Sequence, residues 1–390
     1  MNQFLNYNEM KIIYIIDTLA SKGGAERIIT NKMDYMASFW GYEISIITCY
    51  QNSNTPNAYI LSEKINQIYL DIPFYSQYKY KYPYRLYVKN NINKRLIKRL
   101  SETISELDPD IIIGVGYFNA DIICKIKCRA KKIIEVHEPR PFTLADPGLK
   151  RSLLSKVYMK IYRQRYFRSV EKEADVVVTL TKGDAQEWKK AKRIATIPNF
   201  TVMRSNDSYN ENHKRIIAVG RLEWVKGYDR LLKIWELVSQ KHKDWILDIF
   251  GSGSLEETLN LNIKALKLKN IKIHQFKSNI EDEYSNCSIL LSTSYYEGFS
   301  LALIEAMQFG IPCIAFDCPF GPRDVIDDEK NGFVIKDGDI INFAKRLDML
   351  IENPQLRKEF SNAAKLKVKQ YDINIVMQKW KELFEKTICL

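Results

Sequence analysis

The stretch Glu297-Gly298-Phe299-Ser300-Leu301-Ala302-Leu303-Ile304-Glu305 places two carboxylates eight positions apart, the first in the loop before a helix and the second about two turns away. The loop follows an apolar run at 289–292, so the helix opens at the carboxyl end of a strand. Its first-turn N–H groups, near 299–301, have no intrahelical partners and favour anionic or hydroxyl-rich ligands. Gly298 lets the backbone come close to such a ligand, and each carboxylate can bind paired sugar hydroxyls. On spacing alone, a capped amphipathic helix with surface glutamates fits the same residues. Arg221 and Lys226 lie beyond another strand, in Val219-Gly220-Arg221-Leu222 and Lys226-Gly227. Two cations there suit negative charge developing on a leaving phosphate: Arg221 can fork onto two oxygens and Lys226 acts as a point charge. Surface cations at a helix start are the plain alternative. Gly23 and Gly24, at a strand-to-helix turn, can present N–H groups to a phosphate. His137, in Val136-His137-Glu138-Pro139, ends a buried strand and points into any cleft there, unless it is a satisfied structural histidine.

These residues need strands and helices that deliver them together. The first strand–helix alternation runs from a strand at 12–16 through the Gly23-Gly24 loop to a helix at 25–38 and a strand at 43–48. Further strands are expected at 111–115, 132–136, 175–179 and 194–197, with a long helix at 149–173. The polar stretch 201–213 reads as a linker. A second alternation follows, with strands at 216–219, 245–250, 271–275, 289–292 and 312–316 and helices at 228–240, after Gly253, and at 301–309. Continuous Ile/Val/Leu runs are those of parallel sheets buried on both faces. The expectation is α/β, with two Rossmann-like domains at 1–205 and 206–370. They would face across a cleft, with ligands at the strands' carboxyl ends. A helix at 371–390 is expected to cross back to the first domain.

Three further signals read as structural. Gly251-Ser252-Gly253 imitates a dinucleotide fingerprint, but Glu256 stands where its third glycine belongs, and an acid opposes a pyrophosphate. Asp108-Pro109-Asp110 and Asp337-Gly338-Asp339 resemble metal-binding DxD pairs but carry turn chemistry. The seven cysteines are scattered, the closest pairs being Cys124/Cys128 and Cys313/Cys318, and read as free thiols.

Together the motifs resemble the GT-B glycosyltransferases, in particular the large retaining family 4. Glu297 to Glu305 is similar to its E-x7-E motif. Lys22-Gly23-Gly24-Ala25-Glu26-Arg27 resembles its first glycine loop, and Gly220-Arg221 with Lys226-Gly227 its phosphate-binding segment. Ile197-Pro198-Asn199 resembles the stretch closing its first domain, and Asn331-Gly332-Phe333-Val334 its late turn. Phe320-Gly321-Pro322-Arg323-Asp324 resembles a segment of the subset that builds bacterial surface polysaccharides. The resemblance implies that Glu305 holds donor ribose hydroxyls and Glu297 contacts the transferred sugar. The backbone of Phe299, Ser300 and Leu301 would face sugar hydroxyls and diphosphate. Gly23, Gly24 and Asn199 would line the donor site, and Arg323 would approach the donor or an anionic acceptor. His137 would lie near transferred sugar and acceptor. It further implies front-face attack with retention, no covalent enzyme nucleophile, and no metal or cofactor. The family often has Gly after the aromatic at Phe276, where this chain has Lys277. A UDP-sugar is expected over a GDP-sugar on family frequency alone.

The composition, 46% apolar and 27% charged, is that of a globular chain. No run approaches the roughly 20 apolar residues of a spanning helix, and the first ten residues lack a signal-peptide pattern. A cytoplasmic protein associated with the inner face of the plasma membrane is expected. The net charge is +12, and 79–99 holds eight basic residues and no acid, interleaved with Tyr80, Tyr82, Tyr84 and Tyr87. A second basic run spans Lys150 to Arg168. Such segments suit an anionic membrane surface; a solvated basic face is the alternative, and nucleic acid ranks last because no recognised motif accompanies the charge. The expected partners are a nucleotide-sugar donor, a glycan or polyprenyl-linked acceptor, and the inner-membrane surface. A nucleotide-sugar epimerase of the same architecture and a non-catalytic polyanion-binding protein remain as rivals.

Overall fold

The computed structural model describes residues 10–81, 83–116, 119–141, 153–204 and 209–389. They form two compact units. Unit 1 holds the chain to Leu180, then Asp184–Ile197 and Met377–Leu390; unit 2 holds Thr181–Gly183 and Pro198–Val376.

In unit 1 the strands are β1 (Lys11–Ile16), β2 (Glu43–Thr48), β3 (Ile65–Tyr69), β4 (Ile111–Val115), β5 (Lys131–Val136), β6 (Val176–Thr179) and β7 (Ile194–Thr196). All seven pair parallel in the order β3-β2-β1-β4-β5-β6-β7. Helices α1 (Gly24–Tyr35), α2 (Tyr84–Leu107), α3 (Ala120–Lys125) and α4 (Leu153–Glu173) connect them, and the short α5 (Lys182–Ala185) lies where the chain passes between units. The apolar character of β1 follows from cover on both faces, since Ile12 to Ile16 are all buried; on one face Ile13 and Ile15 share a core cluster with Leu96 and Leu100 of α2 and Phe167 of α4. Residues 79–99, read from sequence as one basic stretch, span the end of a 3-10 helix (Phe74–Lys79) and most of α2. The residues of α2 at four-residue spacing, Ile92, Leu96, Leu100 and Ile104, are buried, while Tyr84 and Tyr87 stay exposed.

Unit 2 repeats the plan with β8 (Arg215–Val219), β9 (Ile246–Phe250), β10 (Ile271–His274), β11 (Ile289–Ser292), β12 (Cys313–Asp317) and β13 (Gly332–Lys336). The order is β10-β9-β8-β11-β12-β13, again all parallel. Its helices are α6 (Tyr228–Ser239), α7 (Glu256–Ala265), α8 (Glu281–Ser285), α9 (Leu301–Gln308), α10 (Pro322–Val325), α11 (Ile340–Glu352) and α12 (Pro354–Val368); α13 (Ile373–Ile388) starts in unit 2 and joins unit 1 from Met377. Each sheet therefore has one place where strand order reverses, between β1 and β4 and between β8 and β11. Such switch points open a crevice at the strands' carboxyl ends.

The polar stretch read as a linker is fastened to unit 2 wherever it is described. Tyr209 Oη donates to Ser288 O at 2.8 Å, and Arg357 Nε donates to Glu211 O at 3.1 Å. Two strands not expected from sequence, β3 and β13, are sheet edges. The first, INQIY, is buried at only one residue, so its pattern lacks the apolar run of a central strand.

Candidate active site

The switch point of unit 2 carries the clearest chemistry. After β8 the chain runs through Gly220 and Arg221 into a one-turn 3-10 helix, Trp224–Lys226; after β11 it runs through Thr293 and Ser294 to Glu297. The two loops are locked together. Tyr295 N donates to Val225 O at 2.8 Å, Thr293 Oγ1 donates to Lys226 O at 3.2 Å, and the Trp224 and Tyr295 rings stack at 4.5 Å and 5°. Gly227 ends the turn at φ 62°, and a Cβ there would lie 2.0 Å from Thr293 O, so only glycine fits between these loops. Lys226 Nζ, delivered by this turn, donates to Glu297 Oε1 at 2.7 Å, and Ser294 Oγ donates to the same oxygen at 2.6 Å. Glu297 Oε2 holds no hydrogen bond among the described residues, and Lys226 has two further N–H donors. A pocket at this point is lined by Lys226, Tyr228, Thr293, Ser294, Glu297 and Ser300 among others. It offers a cation, a carboxylate and a hydroxyl, which together match a phosphate joined to a polyol.

Ser300 is the N-cap of α9 and is buried, with no side-chain bond back to the helix. Leu303 N donates back to Ser300 O at 3.2 Å, and the N–H groups of Leu301 and Ala302 keep their capacity for an oxygen-rich ligand. Phe299 packs edge-on against Tyr371 at 5.5 Å, so its side chain serves the core and its backbone is what it can offer a ligand. Glu305, also buried, accepts from Tyr284 Oη at 3.2 Å. It stands one helix stretch away from the pocket that Glu297 lines. Arg221 is exposed and forms no ion pair among the described residues, whereas Arg323, largely exposed, is paired with Asp317. Leu301 opens α9, and Asn199 is buried near the start of the unit 2 chain. Phe320 adopts φ 65° beside these loops, an uncommon conformation for a bulky residue.

Gly23, Gly24 and His137 belong to unit 1. Gly23 caps α1, and a Cβ on it would meet Glu26 Oε2 at 2.2 Å, so the Glu26 carboxylate covers the first turn of that helix. His137 directly follows β5 on the same side of the strand as Glu135, since alternate residues share a face. Its Nε2 stands 3.2 Å from Glu135 Oε1, within ion-pair distance but without hydrogen-bond alignment. Glu135 Oε2 is bonded to the ammonium of Lys32, on α1, and both side chains are almost wholly buried. Burial works to raise the Glu135 pKa, but the Lys32 and His137 charges outweigh it and hold the carboxyl down at about 2. Lys32 Nζ also lies 3.9 Å over the Trp380 ring of α13.

The discounted motifs have structural uses. A Cβ on Gly251 would fall 1.9 Å from Gly220 O, so this glycine lets β9 press against the loop that carries Arg221. Asp339 caps α11 by accepting from Asn342 N at 3.0 Å, and Asp108 accepts from Arg129 Nε at 2.7 Å. Ser294 and the Lys32–Glu135 pair were missed in the sequence. Their signals were faint: a serine three residues before Glu297, and two charges 103 positions apart, each among other charged residues of its segment.

Comparison with known proteins identifies the family and the fold. The chain matches glycosyltransferase family 4 over 22–202 and glycosyl transferases group 1 over 200–367. It is 31% identical to a glycosyltransferase of Haemophilus influenzae, over 95% of this chain and 99% of that one. It is 26% identical to an α-1,4-N-acetyl-D-galactosaminyltransferase of Campylobacter jejuni, over 96% and 98% respectively; that enzyme is named for a diNAcBac-PP-undecaprenol-linked disaccharide. A Staphylococcus aureus TarM variant, solved with fondaparinux, α-GlcNAc-glycerol and UDP, shares its fold at TM-score 0.77, with 18% identity over 96% of this chain and 99% of that one. With two parallel Rossmann-like sheets and matches along nearly its whole length, the chain belongs to family 4 of the glycosyltransferases and has the GT-B architecture.

Proposed function

We propose that this glycosyltransferase transfers a hexose or N-acetylhexosamine, with retention of anomeric configuration, from a UDP-sugar to a glycan or polyprenyl-linked acceptor of a bacterial surface polysaccharide. The observation that carries the reading is the Lys226–Glu297–Ser294 cluster at the β8/β11 switch point, beside the free N-terminus of α9. In this reading the diphosphate lies against Lys226, Arg221 and the first turn of α9. Glu297 Oε2 accepts from a hydroxyl of the transferred sugar, and Glu305 serves the ribose. Lys226 is pre-positioned by Glu297, so its charge requires no rearrangement as the sugar–phosphate bond breaks and negative charge grows on the leaving oxygen. Arg221, exposed and in no ion pair among the described residues, adds a second cation. Glu297 is held by Lys226 and Ser294, which suits a carboxylate that positions a hydroxyl better than one that attacks carbon. The leaving phosphate oxygen then takes the proton of the incoming hydroxyl on the same face, which gives retention without a covalent enzyme intermediate.

Relatives named for undecaprenol-linked and poly(ribitol-phosphate) acceptors support the acceptor class. The basic, tyrosine-bearing surface of α2 supports an acceptor presented at an anionic membrane face. No helix of the described residues is long and apolar enough to cross a membrane, so attachment would be to the surface. The test is product analysis: incubation with individual UDP-sugars and a lipid-linked or methyl-glycoside acceptor, followed by the anomeric coupling constant of the new linkage. Retention of the donor's α configuration is expected. A β-linked product from an α-donor overturns the mechanism, and turnover of a UDP-sugar to its epimer without acceptor overturns the transferase reading.

A further inference from the structure

Unit 1 has its own switch point, between β1 and β4, and a polar cluster there has been given no task. Asp17 is the first residue past β1, Asn119 follows β4, and Tyr50 follows β2. Asn119 Nδ2 donates to Asp17 Oδ1 at 2.7 Å, and Tyr50 Oη donates to Asn119 Oδ1 at 2.8 Å. Asn119 is buried and fixed, while Asp17 is partly exposed and so within reach of a ligand. Asp17 forms no ion pair among the described residues, and its Oδ2 accepts no hydrogen bond there. Burial nonetheless lifts its pKa to about 7. With Oδ1 held by Asn119 and no cation beside it, Asp17 keeps Oδ2 for a donor from a ligand at the strands' carboxyl ends.

A second observation adjoins the first. The Tyr50 ring stacks on Phe74 at 4.6 Å and 24°, and Phe74 opens a 3-10 helix that also carries Tyr75 and Tyr78. Those two rings stack at 6.3 Å and 28°, yet remain 69% and 54% exposed. The platform is fixed from below, since the buried Gln77 donates through Nε2 to Phe74 O at 3.0 Å. An acceptor carboxylate fixed by an amide, continuous with flat rings that leave much of their surface open, matches a sugar. Hydroxyls donate to the first, and the apolar C–H face of a pyranose lies on the second. A diphosphate is disfavoured beside Asp17, which has no ion pair among the described residues to offset the repulsion; the Arg85 guanidinium lies instead over the Tyr78 ring, at 4.2 Å, so Tyr75 offers the more open face.

We propose that Asp17, Asn119 and Tyr50, with Tyr75 and Tyr78, form a subsite that binds an uncharged sugar ring of the glycan acceptor; this rests on the transferase reading. The test is saturation-transfer NMR with the methyl α-glycosides of glucose, galactose, N-acetylglucosamine and N-acetylgalactosamine, each measured on the wild type, on Asp17→Asn and on the Tyr75→Ala/Tyr78→Ala double variant. A UDP titration of all three proteins runs in parallel. At least one glycoside is expected to bind the wild type. Its affinity should fall about tenfold in Asp17→Asn, the size of one lost hydrogen bond to a charged group, and measurably in the tyrosine variant, with UDP affinity unchanged. Wild-type affinity for glycosides in both variants overturns the subsite, as does a wild type that binds none of the four. Absence of UDP binding with glycoside binding still dependent on Asp17 would instead remove the transferase reading and leave the subsite standing.

Discussion

In the proposed mechanism the chemistry turns on Lys226 and Glu297. Removing Lys226 deletes a preorganised charge where the leaving group develops its own, so Lys226→Ala should lower kcat about 10²–10³-fold, and Arg221→Ala should act in the same direction. Steady-state rates with a UDP-sugar check this, and a drop of less than about threefold for either contradicts the assigned role. Glu297→Gln keeps the shape but weakens both the Lys226 contact and the hydroxyl contact; turnover should fall while UDP affinity, which depends on the cations, is largely kept. Asp17 supplies a stability test. Its pKa of about 7 in the folded chain lies above the free value of 3.8. The folded state therefore prefers the protonated form, a preference fully present below about pH 4 and lost as pH rises through 7. Asp17→Asn should then gain stability relative to wild type on moving from pH 5 to pH 8, by about 1–3 kcal/mol, as read from denaturant midpoints. A variant equally less stable at both pH values would show that the ionised carboxylate has a structural partner. Glu297, Lys226 and Arg221 were legible because they fall in spaced motifs at strand ends. Asp17, Asn119 and Tyr50 were not, because they lie about 30 and 70 positions apart and meet only through the strand order of the sheet.

At the scale of elements, the turn at Gly227 and the α1–β5 tether carry separate consequences. Gly227→Ala forces a Cβ to within 2.0 Å of Thr293 O at a positive φ, so it should both destabilise unit 2 and displace Lys226. A loss of UDP affinity together with a lowered melting temperature is expected. The tether joins Lys32 on α1 to Glu135 on β5, under Trp380 of α13. Lys32→Ala leaves a buried carboxylate without its cation and should cost about 3–5 kcal/mol. Replacing both partners with apolar residues of similar volume should cost much less, and equal losses in the single and double variants would contradict a coupled pair. Most central strands were legible because strands covered on both faces must be continuously apolar, as in KIIYII of β1 and ILLS of β11. The edge strands β3 and β13 were not. INQIY is covered unevenly, and GFVIK begins with a glycine that reads as a turn. The polar stretch near 201–213 misled for a related reason: each of these contacts to unit 2 ends on a backbone carbonyl, Ser288 O for Tyr209 and Glu211 O for Arg357, and no side-chain pattern records such an acceptor.

For the whole molecule, the excess of 59 Lys and Arg over 47 Asp and Glu matters more than any one pair. The described basic residues of α2 share its surface with exposed Tyr84, Leu86 and Tyr87. Binding to liposomes rich in anionic lipid is expected at low salt and should be largely lost near 1 M salt, where the Debye length falls to about 3 Å. Failure to bind such liposomes at low salt contradicts membrane association without touching the catalytic reading. The central claim is that the β8/β11 switch point of unit 2 holds a nucleoside diphosphate joined to a sugar. It is tested most directly by thermal shift against UDP, GDP, ADP and NAD, with the matching sugar donors, on wild type and Lys226→Ala. Ligand at about 100 times its Kd stabilises the folded state by about 2.7 kcal/mol. The account predicts a clear rise in Tm with UDP and with one UDP-sugar, much reduced in Lys226→Ala. A rise with NAD alone, or a UDP response that Lys226→Ala leaves intact, would contradict it.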